Sequence, residues 1–569
     1  MPEMDTDSVT KITNLQNYMK KLKTDTSDGT ANVNDSNASV MGEDQQKMST
    51  DSSDPIVISE SPTMGRRVLA ARDILPGEVI LRDSSLFPLV PSQGKGVSCL
   101  GCLKSLPEED FPYCTNCGAP LCDAQCDGRL HTELECTALA KAGLLILTDK
   151  ELKAPLLKEL KEALMVLRIL HDLLQNPTKI HLLWALESNV HKRKLIPGSI
   201  DKEKQLVRFI CDKLCVPVDE DLALHISGAY DTNSFNVPAS KLHNGTGCAL
   251  LPAGSMINHS CLPNSEYFYA DATFYVRSTV FIPANSEIFI NYSRALWGTR
   301  ARRGSLLQSK LFLCKCQRCT DPTELKSHIS SVQCGKCPGL IVPSMRDAEP
   351  WRCNTCNGTL STAKADTIVK AVGQYIVKVP AGNIERLREA SDLVGQHLGP
   401  QHFVAVELRH RLVQALMKNK EELTVKDLYQ VLDLTKGLLQ LADLIMPGKT
   451  FFRGHMLLQK VNAAAEILLR NHKEQHKADQ QSPHVDIISQ MVSTPNDQID
   501  CNETSKIKEN QTIPNEGQFH TQFDIQKLLE ETKESQDILS NELGQSLEAM
   551  LMIEFFRRLI KQEHLAQAS

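Results

Sequence analysis

Asn258-His259-Ser260-Cys261-Leu262-Pro263-Asn264 is the stretch on which the reading of this 569-residue chain turns. It is followed by Glu287-Ile288-Phe289-Ile290-Asn291-Tyr292, an apolar strand pattern ending on a tyrosine, and then by Cys314-Lys315-Cys316-Gln317-Arg318-Cys319. That last segment offers three thiols, whereas zinc in a structural site takes four tetrahedral ligands drawn from thiolate and imidazole. The fourth must come from elsewhere, and Cys261 is the natural candidate. The competing reading of a lone cysteine is a buried, apolar thiol.

Two further groups carry the same chemistry. Cys99, Cys102, Cys114, Cys117, Cys122, Cys126, His131 and Cys136 provide ligands for two zinc ions in a segment too short for a hydrophobic core, so metal binding must supply most of its folding free energy. Cys334, Cys337, Cys353 and Cys356 have zinc-ribbon spacing and imply one structural zinc. Cys211 and Cys215 lie one helical turn apart on an apolar segment and read as core; Cys248 is left over, and Cys501 has no companion. Clustered cysteines without a secretory signal point to a reducing compartment and to zinc rather than disulfides. The expected location is the nucleus, the cytoplasm or both.

The remaining totals set bounds. The length exceeds one core and implies two to four domains. A net charge of -6 gives no overall basic excess for nucleic acid, and no apolar run is long enough to span a membrane. The acidic, polar start (Met1-Pro2-Glu3-Met4-Asp5) is the reverse of a signal or transit peptide. Residues 1–60 are Ser-, Thr-, Asp- and Asn-rich and are expected to be disordered, with a transient helical patch at Ile12, Leu15, Met19 and Leu22. Order is expected near Gly65, with Val68–Ile74, a turn at Pro76-Gly77-Glu78 and Val79–Leu81 forming strand, turn and strand. Leu156, Leu160, Ala163, Leu164, Leu167, Leu170 and Leu174 mark one apolar helix face, and 247–292 returns to strand chemistry. From about 361 the pattern is helical, with Leu434, Leu438, Leu441 and Ile445, then Leu457, Val461, Ala464 and Leu468. Polar residues 473–518 read as a disordered insertion.

The first cysteine block resembles a MYND zinc finger, and the three segments quoted at the outset resemble the active-site half of a SET domain. The region from about 60 to 321 is similar to the SMYD family, lysine methyltransferases in which a MYND finger splits the SET domain; the zinc ribbon points to its arthropod-type branch. The resemblance implies an α+β multidomain chain. It places the β-rich SET domain at 61–98 and 137–313 (helical insert about 138–200), the finger at 99–136, a post-SET zinc segment at 314–321, the ribbon at 334–356, and an α-helical TPR-like domain at 361–569. Ile445-Met446-Pro447-Gly448 with Arg453-Gly454 is similar to a family turn between helices of that last domain. In the finger it implies interleaved sites, Cys99, Cys102, Cys122 and Cys126 for one zinc and Cys114, Cys117, His131 and Cys136 for the other. Four residues rather than the usual three separate His131 from Cys136, which makes His131 the least certain ligand.

Carried over residue by residue, the resemblance implies that Tyr292 orients methyl group and lysine nitrogen. Arg66, Asn233, Asn258, His259, Tyr292 and Phe312 would contact S-adenosylmethionine. Transfer to a lysine ε-amine requires a neutral amine, although free lysine has a pKa of about 10.4, and it requires exclusion of water. Zinc in such a protein is structural. Two departures stand out: Arg67 replaces the second glycine of the family's Gly-x-Gly, and Asn285-Ser286-Glu287 replaces its Gly-Glu. Two functions follow: an S-adenosylmethionine-dependent protein-lysine methyltransferase acting on histone or another protein, or a catalytically weak MYND/TPR-type scaffold in transcriptional regulation. The resemblance further implies proline-rich peptides as partners of the finger; a monomer is expected, and with no long apolar run, no basic excess and no basic recognition helix after the cysteine clusters, no membrane or sequence-specific nucleic-acid partner is expected.

Overall fold

The computed structural model describes residues 54–568, apart from breaks of up to three residues and the longer segments 92–96, 143–152 and 479–523. The chain divides into two compact units: residues 1–325 with 445–449, and residues 326–444 with 450–569. The amphipathic patch at Ile12–Leu22 and nearly all of the polar insertion lie outside the described residues.

The first unit is assembled from small sheets. Strands β1 (Ile56–Ser61) and β2 (Gly65–Ala70) pair antiparallel. This corrects the expected start of order: Ile56, Val57 and Ile58 give a β-branched run inside the otherwise polar segment, enough to pair with β2. β3 (Val79–Asp83) follows the expected turn, where Gly77 takes φ 91°. It does not pair with β2, however, but joins β8 (Ser265–Ala270) and β9 (Thr273–Ser278) in the order β3-β9-β8. A third sheet runs β4 (Val90–Pro91), β6 (His243–Leu250), β5 (Ser234–Ser240). Finally β7 (Asn258–His259) and β10 (Phe289–Ile290) form a two-residue parallel ladder. Val68, Ala70, Ile74, Val237, Ala249, Phe274, Val276, Ile288 and Ile290 share one buried core beneath these sheets.

Helices make a second core in the same unit. α1 (Glu133–Lys141) is N-capped by Thr132, whose side chain accepts from the Glu135 N–H. α2 (Lys153–Gln175) buries the leucine face read from the sequence: Leu160, Ala163, Leu164, Leu167 and Leu170 are all buried. α3 (Glu220–Asn233) starts on Asp219, which caps Leu222 N. The helical insert therefore reaches 233 rather than about 200. Cys211 is half-buried and packs against the helical core as expected, but Cys215 is exposed at φ 54°, so the expected core placement fails for the second thiol: a π-helical turn (Phe209–Lys213) shifts the face on which it falls. α4 (Thr299–Lys310) ends at Leu311 in the left-handed region and delivers the chain to Cys314.

The second unit holds a four-stranded meander, β11 (Val332–Gln333), β12 (Leu340–Val342), β13 (Trp351–Cys353) and β14 (Thr359–Leu360). Among the described residues seven α-helices follow: α5 (Thr362–Val377), α6 (Ile384–Leu398), α7 (Phe403–Lys418), α8 (Val425–Ile445), α9 (Phe451–Ala478), α10 (Ile525–Ile538) and α11 (Leu543–Ala568). α9 runs six residues into the segment expected to be an insertion. Gly454 is where α9 and α10 approach, since a Cβ there would meet Ile538 Cγ2 at 2.7 Å. Arg453 beside it pairs with Glu534 and Asp443. Among the described residues no helix is long and apolar enough to cross a membrane.

Candidate active site and metal centres

The four ligand groups come together as the spacing and the family resemblance implied. Cys99, Cys102, Cys122 and Cys126 form one; Cys114, Cys117, His131 and Cys136 a second; Cys261, Cys314, Cys316 and Cys319 a third; Cys334, Cys337, Cys353 and Cys356 a fourth. The donor set tests the fit to zinc. A tetrahedron with Zn–S of about 2.3 Å has edges of about 3.8 Å. Observed sulfur separations are 3.7 Å for Cys99–Cys126, 3.8 Å for Cys114–Cys136, 3.9 Å for Cys261–Cys314 and 3.8 Å for Cys334–Cys356. His131, despite its altered spacing, points Nε2 at Cys117 Sγ (3.3 Å) and Nδ1 at Glu135 Oε1 (3.0 Å). Glu135 is in turn held by Arg168 Nε at 2.6 Å, and both are fully buried. A carboxylate behind a ligating imidazole fixes its tautomer and orientation.

The third group has an unusual surround. Arg302 and Arg318 are wholly buried, and both donate to Glu324 Oε2, at 2.7 and 2.9 Å. Arg302 Nη2 also donates to Cys319 Sγ (3.5 Å), while Arg318 Nη1 donates to Ala295 O (2.7 Å) and Cys261 O (3.3 Å). A tetrathiolate zinc carries excess negative charge, and buried guanidinium groups compensate it where water is absent.

The same loop leads to the tyrosine. Tyr292 N–H donates to His259 Nδ1 at 3.0 Å, so the ring proton sits on Nε2, which faces Cys261 Sγ at 3.2 Å. Burial drives His259 down to about 4 and pushes the Tyr292 hydroxyl above its ordinary range. The Tyr292 hydroxyl donates to Ile257 O, which leaves its oxygen lone pairs as acceptors. The His259 ring lies 5.3 Å from that of Tyr292 and 6.0 Å from that of Phe312. Asn258 Nδ2 donates to Arg66 O and to Glu287 Oε1, both at 2.9 Å, and so clamps β2 against the ladder. The structure thus gathers the backbone of Arg66 with Asn258, His259, Tyr292 and Phe312. Asn233 donates its Nδ2 to Glu187 O (2.8 Å) and Ala229 O (2.7 Å), holding the end of α3.

Of the two departures, one is accommodated locally and the other is not. Asn285 adopts φ 63°, a left-handed conformation that asparagine tolerates better than most residues, so the missing glycine is accommodated. Arg67 is half-buried, and its Nε is buried without a hydrogen-bond partner among the described residues. Two residues of this site escaped the sequence reading. Tyr269 packs on the same core as Tyr292 and has a buried hydroxyl with no partner among the described residues. Lys310 sets its Nζ 5.9 Å from the centroid of the Tyr292 ring. Alternation along Ser265–Ala270 would have flagged an inward tyrosine; Lys310, at a helix end, carries no sequence signal of its own.

Comparison with known proteins bears on this geometry. Residues 10–293 match the SET domain family model. The SET domain-containing protein SmydA-8, isoform B, of Drosophila melanogaster is 28% identical over 54% of this chain and 68% of its own. Histone-lysine N-methyltransferase ASHR1 of Arabidopsis thaliana is 26% identical over 68% of this chain and 81% of its own. N-lysine methyltransferase SMYD2 of Gallus gallus is 25% identical over 46% of this chain and 58% of its own, so the chain spans little more than half of that relative.

Proposed function

Because the chain belongs to the SMYD family of SET and MYND proteins, and is by that membership an S-adenosylmethionine-dependent protein-lysine N-methyltransferase, we propose that transfer takes place at Tyr292. Bound S-adenosylmethionine would supply a sulfonium methyl carbon for attack by a neutral lysine amine, with the thioether S-adenosylhomocysteine as the leaving group. The rings of Tyr292, Phe312 and His259 offer faces suited to a cationic centre. The Tyr292 oxygen, with its own proton directed to Ile257 O, accepts from the amine and aligns it. Asn258 holds the Arg66 backbone where cofactor and β2 meet. One observation carries the reading: Tyr292 N–H to His259 to Cys261 Sγ is a continuous chain from transfer tyrosine to zinc ligand.

The decisive experiment titrates S-adenosylmethionine into the purified zinc-loaded protein by calorimetry and assays methyl transfer for wild type and Tyr292→Phe. No cofactor binding sinks the enzyme reading; unchanged activity in Tyr292→Phe sinks the role of Tyr292. Arg67 supports the second reading, a protein-interaction scaffold, because its unpartnered guanidinium nitrogen sits one residue from the Arg66 carbonyl. Histone as substrate, proline-rich peptides at the finger, TPR-like helix pairing, a monomer, and residence in nucleus or cytoplasm complete the proposal and rest on family resemblance.

A further inference from the structure

One buried titratable group at the site has no part in the scheme above. Lys310 is half-buried at the end of α4, and its Nζ donates to Thr232 O at 2.6 Å while lying 5.9 Å from the Tyr292 ring centroid. It thereby ties α4 to the last turn of α3, beside Asn233. Among the described residues no carboxylate pairs with it. Asp231, the acid whose field reaches it, is paired through Oδ2 with Arg193 at 3.2 Å. Burial lowers its pKa, while the Thr232 carbonyl and the Tyr292 ring face both favour the charged form.

We propose that Lys310 is a specificity and positioning residue: a fixed ammonium that opposes the cationic sulfonium of the methyl donor and so favours the neutral thioether product, S-adenosylhomocysteine. This rests on the assignment of the Tyr292 site as the transfer site. The two ligands differ by one methyl group and one positive charge, so a nearby cation discriminates between them with no change in shape. At an effective dielectric of about 30, a bias of about tenfold requires the two like charges to lie within about 8 Å of each other. The consequence is an enzyme strongly restrained by its own product, responsive to the ratio of donor to product rather than to donor alone. Lys310 does not touch the transferred carbon; it acts through the field it places on it.

The test is calorimetric, with S-adenosylmethionine and S-adenosylhomocysteine titrated separately into the zinc-loaded full chain. Wild type is expected to bind the product about tenfold more tightly than the donor. Lys310→Met is expected to tighten donor binding about tenfold with product binding within about twofold, and Lys310→Arg is expected to restore the wild-type ratio. A purely structural role for Lys310 would weaken both ligands together and leave the ratio alone. Should Lys310→Met fail to fold, Lys310→Gln, which keeps a donor for Thr232 O, replaces it. A wild type that binds donor as tightly as product overturns the proposal without any variant. A ratio unchanged in the neutral variants overturns it too, while leaving the transfer site standing. A wild type that binds neither ligand overturns both.

Discussion

The zinc ribbon of the second unit and the post-SET site of the first each gather four cysteines, yet they neutralise the resulting charge differently. The ribbon draws all its ligands from one short meander, and its own backbone supplies the donors. Lys336 N–H reaches Cys334 Sγ at 3.5 Å; Gly339, Thr355, Cys356 and Gly358 N–H groups reach Cys337, Cys353 and Cys356 sulfurs at 3.4 Å. Such a site carries its electrostatics wherever it is moved. The post-SET site borrows one ligand, Cys261, from the heptapeptide and recruits side chains from elsewhere: Arg302 from α4, Glu324 from beyond the cluster, His259 from β7. A metal compensated in this way is a joint between elements. The one site folds a module, and the other holds an active site in register.

The largest effect should come from breaking that joint. Cys261→Ser is expected to lose one zinc per chain and all measurable S-adenosylmethionine binding, whereas Cys334→Ser loses one zinc and keeps cofactor affinity; metal analysis paired with calorimetry reads both. Equal loss of cofactor binding in the two variants would erase the distinction. Next, Glu324→Gln leaves Arg302 and Arg318 buried without their shared carboxylate, which costs about 3–5 kcal/mol in equilibrium urea unfolding. A change below about 1 kcal/mol would show that the thiolates alone balance the two guanidiniums. Tyr292→Phe marks where the joint ends and chemistry begins: turnover should fall about a hundredfold, as for other single oriented polar groups, with cofactor affinity within about twofold. The smallest effect belongs to the ribbon. Gly358→Ala puts a Cβ 3.3 Å from Cys334 and Cys356 sulfurs, so zinc should leave a few times faster in a competition with a chromogenic chelator, with methyl transfer unaltered.

Much of this could be read from the chain because metal sites and helices announce themselves by spacing. The ribbon ligands, the presence of two zinc sites in the first cysteine block, the leucine face of α2 and the helical character of the second unit follow from local spacing, whereas the interleaving of the finger ligands came from family resemblance and Cys261 from the need for a fourth ligand. What escaped was non-local. β1 is a short β-branched run inside polar sequence and owes its strand to β2. Cys215 fell on an exposed face because one π-helical turn inserts an extra residue, which no propensity marks. Asn233 kept its place in the motif, but its amide nitrogen engages two backbone carbonyls of the insert. Lys310 and Tyr269 acquire meaning only from Tyr292, which is distant in the sequence and near in the fold.

The two-residue ladder between Asn258–His259 and Phe289–Ile290 has a consequence for synthesis on the ribosome. So short a parallel pair cannot hold itself, and the closure entropy of its long connection must be offset by contacts made later. Some of those contacts are the hydrogen bonds of Asn264 and Ser265 to Glu287 and Phe289; the thiols at 314–319 and Glu324 leave the exit tunnel after every other part of the site. The MYND finger can take up its metal while the rest of the chain is still being made. The catalytic pocket, by contrast, stays open until one late segment arrives with zinc to meet it. Zinc scarcity during translation would therefore produce chains that are largely folded, finger included, and catalytically silent.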